Sequence, residues 1–245
     1  MQSPSSNAAE SPAEYLSQAA GVARSLFTRY PEHALDEQAG PAYLQGFALS
    51  RWIFWQRIKK VIKLLPAGGE RCLDFGCGFG MMLPLLKRRF AEVRGVDLMP
   101  DLAQTYLHLW DEQTGQQHAD IQITRDLDSA GLPENSLDLI LAMDVLEHVD
   151  QLPELLGAMA RLLKPEGVLL VTGPTENWFY KFGRRLVGFS GDYHVRDIYD
   201  IRNEMEQHLR VSLAGRVFFP VTLFHILRGE ALRGAGRSLP KAGDE

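Results

Sequence analysis

Three glycines and two carboxylates carry the strongest chemical signal in this chain. Cys72-Leu-Asp-Phe-Gly-Cys-Gly-Phe-Gly80 reads as a short buried strand, Cys72 to Phe75, running into a loop. There Gly76, Gly78 and Gly80 let the backbone turn sharply and come within contact distance of a ligand. The apolar run Met81 to Leu86, closed by Lys87, Arg88 and Arg89, reads as a helix whose N-terminal amides face that ligand. Pro84 fits such a helix only in its first turn, where a missing N–H costs least. Val93-Arg-Gly-Val-Asp97 is a second short strand, ending in a carboxylate 17 residues after Gly80. An acid at that tip can accept hydrogen bonds from both hydroxyls of a ribose. A lone glycine loop is as often a plain tight turn; Asp74, the G-x-G-x-G spacing and Asp97 together point to an adenosine-bearing ligand.

The spacing narrows the choice of ligand. A dinucleotide fold usually shows G-x-G-x-x-G, which seats a pyrophosphate on the helix start. Here the third glycine comes one residue early, and Asp74 stands two residues before the first. This D-x-G-x-G-x-G pattern resembles motif I of the class I S-adenosylmethionine (SAM) methyltransferases. Leu132-Pro-Glu-Asn-Ser-Leu-Asp-Leu-Ile-Leu-Ala-Met-Asp-Val-Leu-Glu-His-Val149 is similar to that family's fourth-strand block. Leu162-Leu-Lys-Pro-Glu-Gly-Val-Leu-Leu-Val-Thr172 is similar to its turn into the fifth strand, with Glu166 replacing one glycine. The likeness covers residues 68 to 173 and points to the type 11 and ubiquinone-methyltransferase-like branch.

The resemblance implies an α/β, Rossmann-like fold: a seven-stranded, mostly parallel sheet with helices on both faces, and SAM as cofactor. The loop of Asp74, Gly76, Cys77, Gly78 and Gly80 would then hold the methionine end of SAM, whose ammonium and carboxylate suit an acid and backbone N–H groups. Asp97 and Leu98 would meet the ribose. Asp126 and Leu127, just past the third strand, fall where the family places its adenine contacts. Asp126 is then either an acceptor for the adenine amine or a solvated loop acid. Met143 and Asp144 would face the same crevice.

A sulfonium is already an activated methyl donor, so transfer mainly requires a nucleophile held on the methyl axis with water excluded. A hydroxyl or phenol acceptor also needs a base. His148 follows the fourth strand and titrates near neutrality, which makes it the first candidate, against a packing or capping role. Asp144, Glu147 and His148 stand at i, i+3 and i+4 and share one face if the segment is helical. They resemble the E-x-x-E-H set of ubiquinone-type O-methyltransferases, which serves a divalent metal; here Asp144 replaces the first Glu with a shorter arm. The alternative is ordinary carboxylate preference for a helix start.

Substrate choice is expected in residues 174–195, a long connection dense in aromatics that reads as a lid or pocket wall. Tyr193 and His194 are its polar groups best able to reach a substrate, or else form a turn before the next helix. Within it, Trp178 to Phe189 sets Lys181, Arg184 and Arg185 among aromatics, a pattern suited to weak contact with an anionic membrane. Residues 51–65 place Phe54, Trp55, Ile58, Val61, Ile62 and Leu65 on one helical face, expected to bury against the sheet, with a membrane interface as the alternative.

Around these residues, helices are expected near 15–28, 47–65 and 196–208. Strands are expected near 71–75, 92–97, 120–124, 137–143, 167–172, 210–218 and 221–227, with helices between the first five. A single domain, 15–228, should lie between a disordered tail of residues 1–14 and a flexible tail of residues 229–245. At 245 residues and 45% hydrophobic content the chain can bury one sizeable core. No apolar run approaches bilayer length and no secretory h-region opens the sequence, so a cytoplasmic protein is expected. Cys72 and Cys77 supply neither a disulfide framework nor a zinc quartet. A net charge of −5 disfavours a nucleic-acid partner. The expected activity is methyl transfer from SAM to a small-molecule or lipid-linked acceptor, at oxygen. The competing readings are a nicotinamide dehydrogenase, an aminopropyl transferase and a non-catalytic SAM-binding scaffold.

Overall fold

A computed structural model describes residues 11–31, 48–175, 196–218 and 222–232. Its helices are α1 (Pro12–Arg29), α2 (Ala48–Leu64), α3 (Leu83–Lys87), α4 (Pro100–Thr114), α5 (Leu152–Leu162) and α6 (Ile198–Met205). Its strands are β1 (Gly69–Phe75), β2 (Phe90–Val96), β3 (Gln122–Thr124), β4 (Leu137–Met143), β5 (Leu163–Pro174), β6 (Leu209–Phe218) and β7 (Thr222–Ala231). They form one sheet in the order β3-β2-β1-β4-β5-β7-β6, parallel from β3 through β5 and antiparallel at β7 and β6. The chain winds outward from β1 to β3 and then returns to place β4 on the other side of β1. The β1/β4 boundary is therefore the switch point, the usual place for a crevice in an open sheet.

Alternating strand residues supply the two cores. Leu139 and Leu141 of β4, with Val168 and Leu170 of β5, pack against α1, α2 and α4 through Leu26, Ile58, Val61, Tyr106 and Trp110. Ile140 and Ala142, with Leu169 and Val171, face the opposite side and meet Leu156 and Met159 of α5 and Ile198, Ile201 and Met205 of α6. Burying chains of this size on both faces contributes roughly 1.5–3 kcal/mol per large side chain, which is why the central strands read as unbroken apolar runs. Helix starts are set by side chains. Ser11 and Glu14 form a reciprocal capping box ahead of Pro12, and Asp197 and Asp200 do the same for α6.

The structure revises several expected limits. α1 begins at Pro12, inside the segment assigned to a tail. β7 runs on to Ala231, three residues past 228, because Leu209 pairs with Ala231 and Glu230 bonds Arg210 and Arg228 across and along the ladder. The helix after the glycine loop has only five residues. Its Pro84 lies in the first turn, and beyond it the Arg88–Arg89 turn leads straight into β2. Lys87 there donates to the Ala91 carbonyl and pairs with Asp120. β5 starts at Leu163 rather than 167, with a register break opposite Leu137 and Leu139.

The expected apolar face of α2 is the buried one: Ile58, Val61, Ile62 and Leu65 are in the core. That leaves Trp52, 47% exposed, as its large apolar side chain open to water. No described helix is long and apolar enough to cross a membrane.

Candidate cofactor and acceptor site

β1 delivers the glycine loop to the switch point, where hydrogen bonds tie it to the end of β2 and packing sets it against the turn after β4. The N–H groups of Gly76 and Cys77 both donate to the Val96 carbonyl, at 2.7 and 3.1 Å, folding the loop over the end of β2. Gly76 sits at φ +71°, and a Cβ there would lie 2.6 Å from Val145 Cβ, so only glycine lets the loop lie against the turn that follows β4. One residue past β2, Asp97 clamps the loop. Its Oδ2 accepts from Gly78 N–H at 2.7 Å, and its Oδ1 accepts from Met99 N–H at 3.0 Å, at the start of α4. A carboxylate oxygen has more than one lone pair, so Asp97 can still accept from a ribose while holding the loop.

Behind the loop, Asp74 is buried. Burial, then the charge of Asp97, pushes its carboxyl up to about 7 from an ordinary 3.8. A buried acid poised near neutrality becomes a strong counter-ion when a cation arrives and repays its desolvation. Burial and the nearby Asp74 and Asp97 charges push the Cys77 thiol well up, so it is a packing group in the loop and not a thiolate.

Along the β2 and β3 ends, Leu98 is 62% exposed beside Asp97, an apolar surface suited to a planar base. Asp126 is exposed, and Ser129 occupies both of its oxygens, the backbone N–H at 2.8 Å and the hydroxyl at 2.9 Å. Those bonds hold its carboxyl below the usual range. Its present work is to brace the short turn Asp128–Ala130. Leu127 packs half-buried against the α5 side core.

The β4 end departs from the expected arrangement. Met143 packs half-buried against the α1 side core. Asp144, however, has φ +51° and leaves the strand in the left-handed region, and Leu146–His148 is a single 3-10 turn. Glu147 is buried at 1% exposure and His148 is exposed, so Asp144, Glu147 and His148 do not share a helical face. Asp144 Oδ1 accepts from the Thr172 hydroxyl at 2.9 Å, and Oδ2 forms an ion pair with Arg57 of α2. The guanidinium lies 4.9 Å from the Phe54 ring centre and 4.6 Å from that of Phe224. These residues do not fit a divalent metal. One carboxylate already faces a fixed cation, another is buried, and the histidine is exposed while that carboxylate beside it is not. Among the described residues no three of His, Cys, Asp and Glu gather as a metal would require.

Tyr193, His194 and the lid segment with Trp178 to Phe189 lie outside the described residues. Sequence reasoning overlooked Arg57, although its position gives a signal: it stands three residues after Phe54 and four before Val61, inside the apolar stripe of α2.

A sequence profile described as a methyltransferase domain matches residues 49–235. The ubiquinone biosynthesis O-methyltransferase of Rhodopseudomonas palustris (strain BisB5) is 31% identical over 169 residues, covering 62% of this chain and 64% of that protein. The enzyme of the same name from Xanthomonas oryzae pv. oryzae (strain PXO99A) is 34% identical over 116 residues, 47% of this chain and 48% of that protein. The chain thus spans less than two thirds of these relatives. Magnesium protoporphyrin IX methyltransferase from Synechocystis PCC 6803, solved with bound S-adenosylhomocysteine, shares the fold at TM-score 0.58 and 19% identity, over 83% of this chain and 93% of that one. The N-methyltransferase NodS of Bradyrhizobium japonicum WM9 does so at 0.55 and 16%, over 86% and 98%. With a glycine loop at the switch point, an acid at the tip of β2 and a family match over most of its length, the chain belongs to the class I SAM-dependent methyltransferase family.

Proposed function

We propose that this chain, as a single-domain enzyme, transfers a methyl group from SAM to an oxygen of a small-molecule acceptor. One observation carries the reading: the glycine loop, clamped by Asp97, lies directly against the β4 turn through the Gly76 and Val145 contact, so cofactor and acceptor sides meet at the switch point. SAM supplies a methyl group already activated by the sulfonium. Ionised Asp74 stands behind its ammonium, the Gly76–Gly80 backbone surrounds the methionine end, and Asp97 accepts from the ribose. Leu98 and Leu127 flank the adenine, and Asp126 offers a remaining lone pair to the adenine amine. Met143 and Asp144 bound the crevice on the β4 side.

His148 takes the acceptor proton. It is exposed one turn beyond Asp144, where an incoming hydroxyl can reach it, and Glu147 beneath it is part of the supporting core. The oxygen acceptor follows the relatives' name. A lipid-linked acceptor, admitted by weak contact of residues 178–189 with anionic membrane, is the finer form of this proposal.

The test is incubation of the full chain with methyl-labelled SAM and host extract. The expected result is label in an alkali-stable ether of a small metabolite, or in the lipid fraction with salt-sensitive co-sedimentation on anionic liposomes. Tight SAM binding with no label in any fraction would instead support a non-catalytic scaffold.

A further inference from the structure

Arg57 is a charged side chain at 1% exposure, and it lies where the acceptor side of the crevice is built. A guanidinium taken from water is tolerated only when its charge is met, so its choice of partner is a structural commitment. Four elements converge to make it. α2 supplies Arg57 and the Phe54 ring, β7 supplies the Phe224 ring, the β4 end supplies Asp144, and β5 supplies the Thr172 hydroxyl that fills the other oxygen of Asp144. The Asp144 N–H is bound as well, donating to the Thr172 carbonyl at 3.0 Å. Asp144 is thereby held at φ +51°, a conformation unfavourable for a residue with a side chain, and that conformation turns the chain into Val145, Glu147 and His148. Val145 in turn rests on Gly76.

We propose that Arg57 is a positioning residue for methyl transfer: as the fixed counter-ion of Asp144 it sets the β4 turn that carries His148, in the place where a divalent metal would otherwise organise the acids. This rests on reading the β4 turn as the acceptor side. A metal at Asp144 would have to approach a guanidinium of like sign or displace it from its aromatic slot. Neither is needed if the cation is built in. The variant Arg57→Met leaves the stripe of α2 apolar but removes the counter-ion; Asp144→Asn keeps the shape and removes the charge.

Two arms test this. In the first, Mn2+ is titrated into full-length wild type and Arg57→Met and followed by electron paramagnetic resonance, with arginine side-chain NMR of the wild type alongside. The expected result is no Mn2+ at Asp144 in wild type and an undisturbed buried guanidinium signal; Mn2+ that binds and shifts that signal overturns the proposal. The second arm measures label transfer from SAM in host extract. Wild-type turnover should survive EDTA. Arg57→Met and Asp144→Asn should each lose on the order of a hundredfold in turnover, the cost of a misplaced catalytic group, while SAM affinity by calorimetry stays within about threefold. Methylguanidinium added to Arg57→Ala should restore part of the loss, which a general packing defect would not allow. Turnover abolished by EDTA, or full turnover in Asp144→Asn with wild-type melting, overturns the inference. Wild type inactive in every extract would refute the methyl-transfer reading instead, and the Mn2+ arm would still decide the place of Arg57.

Discussion

Asp97→Asn is the substitution that best separates a clamped loop from a simple ribose acceptor. From sequence, the amide should be a mild change, because it can still accept from a hydroxyl. The structure argues otherwise. Both carboxylate oxygens already accept backbone N–H groups, Gly78 at 2.7 Å and Met99 at 3.0 Å. An asparagine has one acceptor oxygen and one NH2, so whichever way it turns, a donor faces a donor. One charge-assisted bond, worth about 1.5–3 kcal/mol, is lost, and the survivor becomes a neutral bond worth roughly 1 kcal/mol less. Two terms work against this. Asp97 is only half-buried, so water can reach the freed N–H, and removing its charge relieves Asp74, whose carboxyl Asp97 helps to push up. The net expectation is about 2 kcal/mol of stability, or roughly 4–8 °C in melting temperature for a chain of this size, nearly as much as in Asp97→Ala. SAM affinity should fall on the order of a hundredfold in both variants, because the loop and the ribose lose the same group. Calorimetric melting and SAM titration of the two variants side by side provide the check. An Asp97→Asn protein that melts within about 1 °C of wild type and binds SAM normally would refute the clamp.

Gly76→Ala should cost about 3 kcal/mol in urea unfolding, from about 1 kcal/mol of strain at φ +71° plus crowding against Val145. Val145→Ala in the same background should recover only part of it, since Val145 Cβ itself lies at 2.6 Å; wild-type stability in the single variant would show that the loop has room. His148→Ala should lower turnover on the order of a hundredfold with SAM affinity unchanged, and equal turnover would remove it from the mechanism. Asp74 has a raised pKa in the folded chain, so its contribution to stability is complete below its ordinary 3.8 and is lost as pH rises through that value toward about 7. SAM, with its ammonium, favours the ionised form, so binding below about pH 7 should release a proton, tighten as pH rises toward 7 and level off above it. Calorimetry in buffers of different ionisation enthalpy should detect that proton in wild type and miss it in Asp74→Asn; an identical proton count in both would sink the assignment.

What the sequence showed and what it hid follow from the range of the interactions concerned. The apolar run of β4 was readable at 137–143 because a central parallel strand is buried on both faces whatever surrounds it. The positive φ at Gly76, Gly78 and Gly80 was readable because their residue type alone permits it. The face of α2 was readable from its 3.6-residue period. Arg57 in the middle of that stripe was not: its burial depends on a carboxylate 87 residues away and a ring on β7, and no local pattern encodes either partner. Asp144 misled for the same reason. Its spacing from Glu147 and His148 suits a helix, but Arg57 and Thr172 bond it in the left-handed region, so the helix never starts there. The five-residue α3 shows the converse limit, where an apolar run ending in three basic residues promised a longer helix. Arg89 instead turns back to the carbonyls of Ile62, Leu65 and Pro66 at the end of α2, which fixes the chain for its entry into β2. In each case the misread residue, Arg57, Asp144 or Arg89, is charged and finds its partner on another element. Two arginines thus tie α2 to the sheet, Arg57 from its middle through the Asp144 ion pair beside the crevice and Arg89 at its C-terminal end through backbone carbonyls.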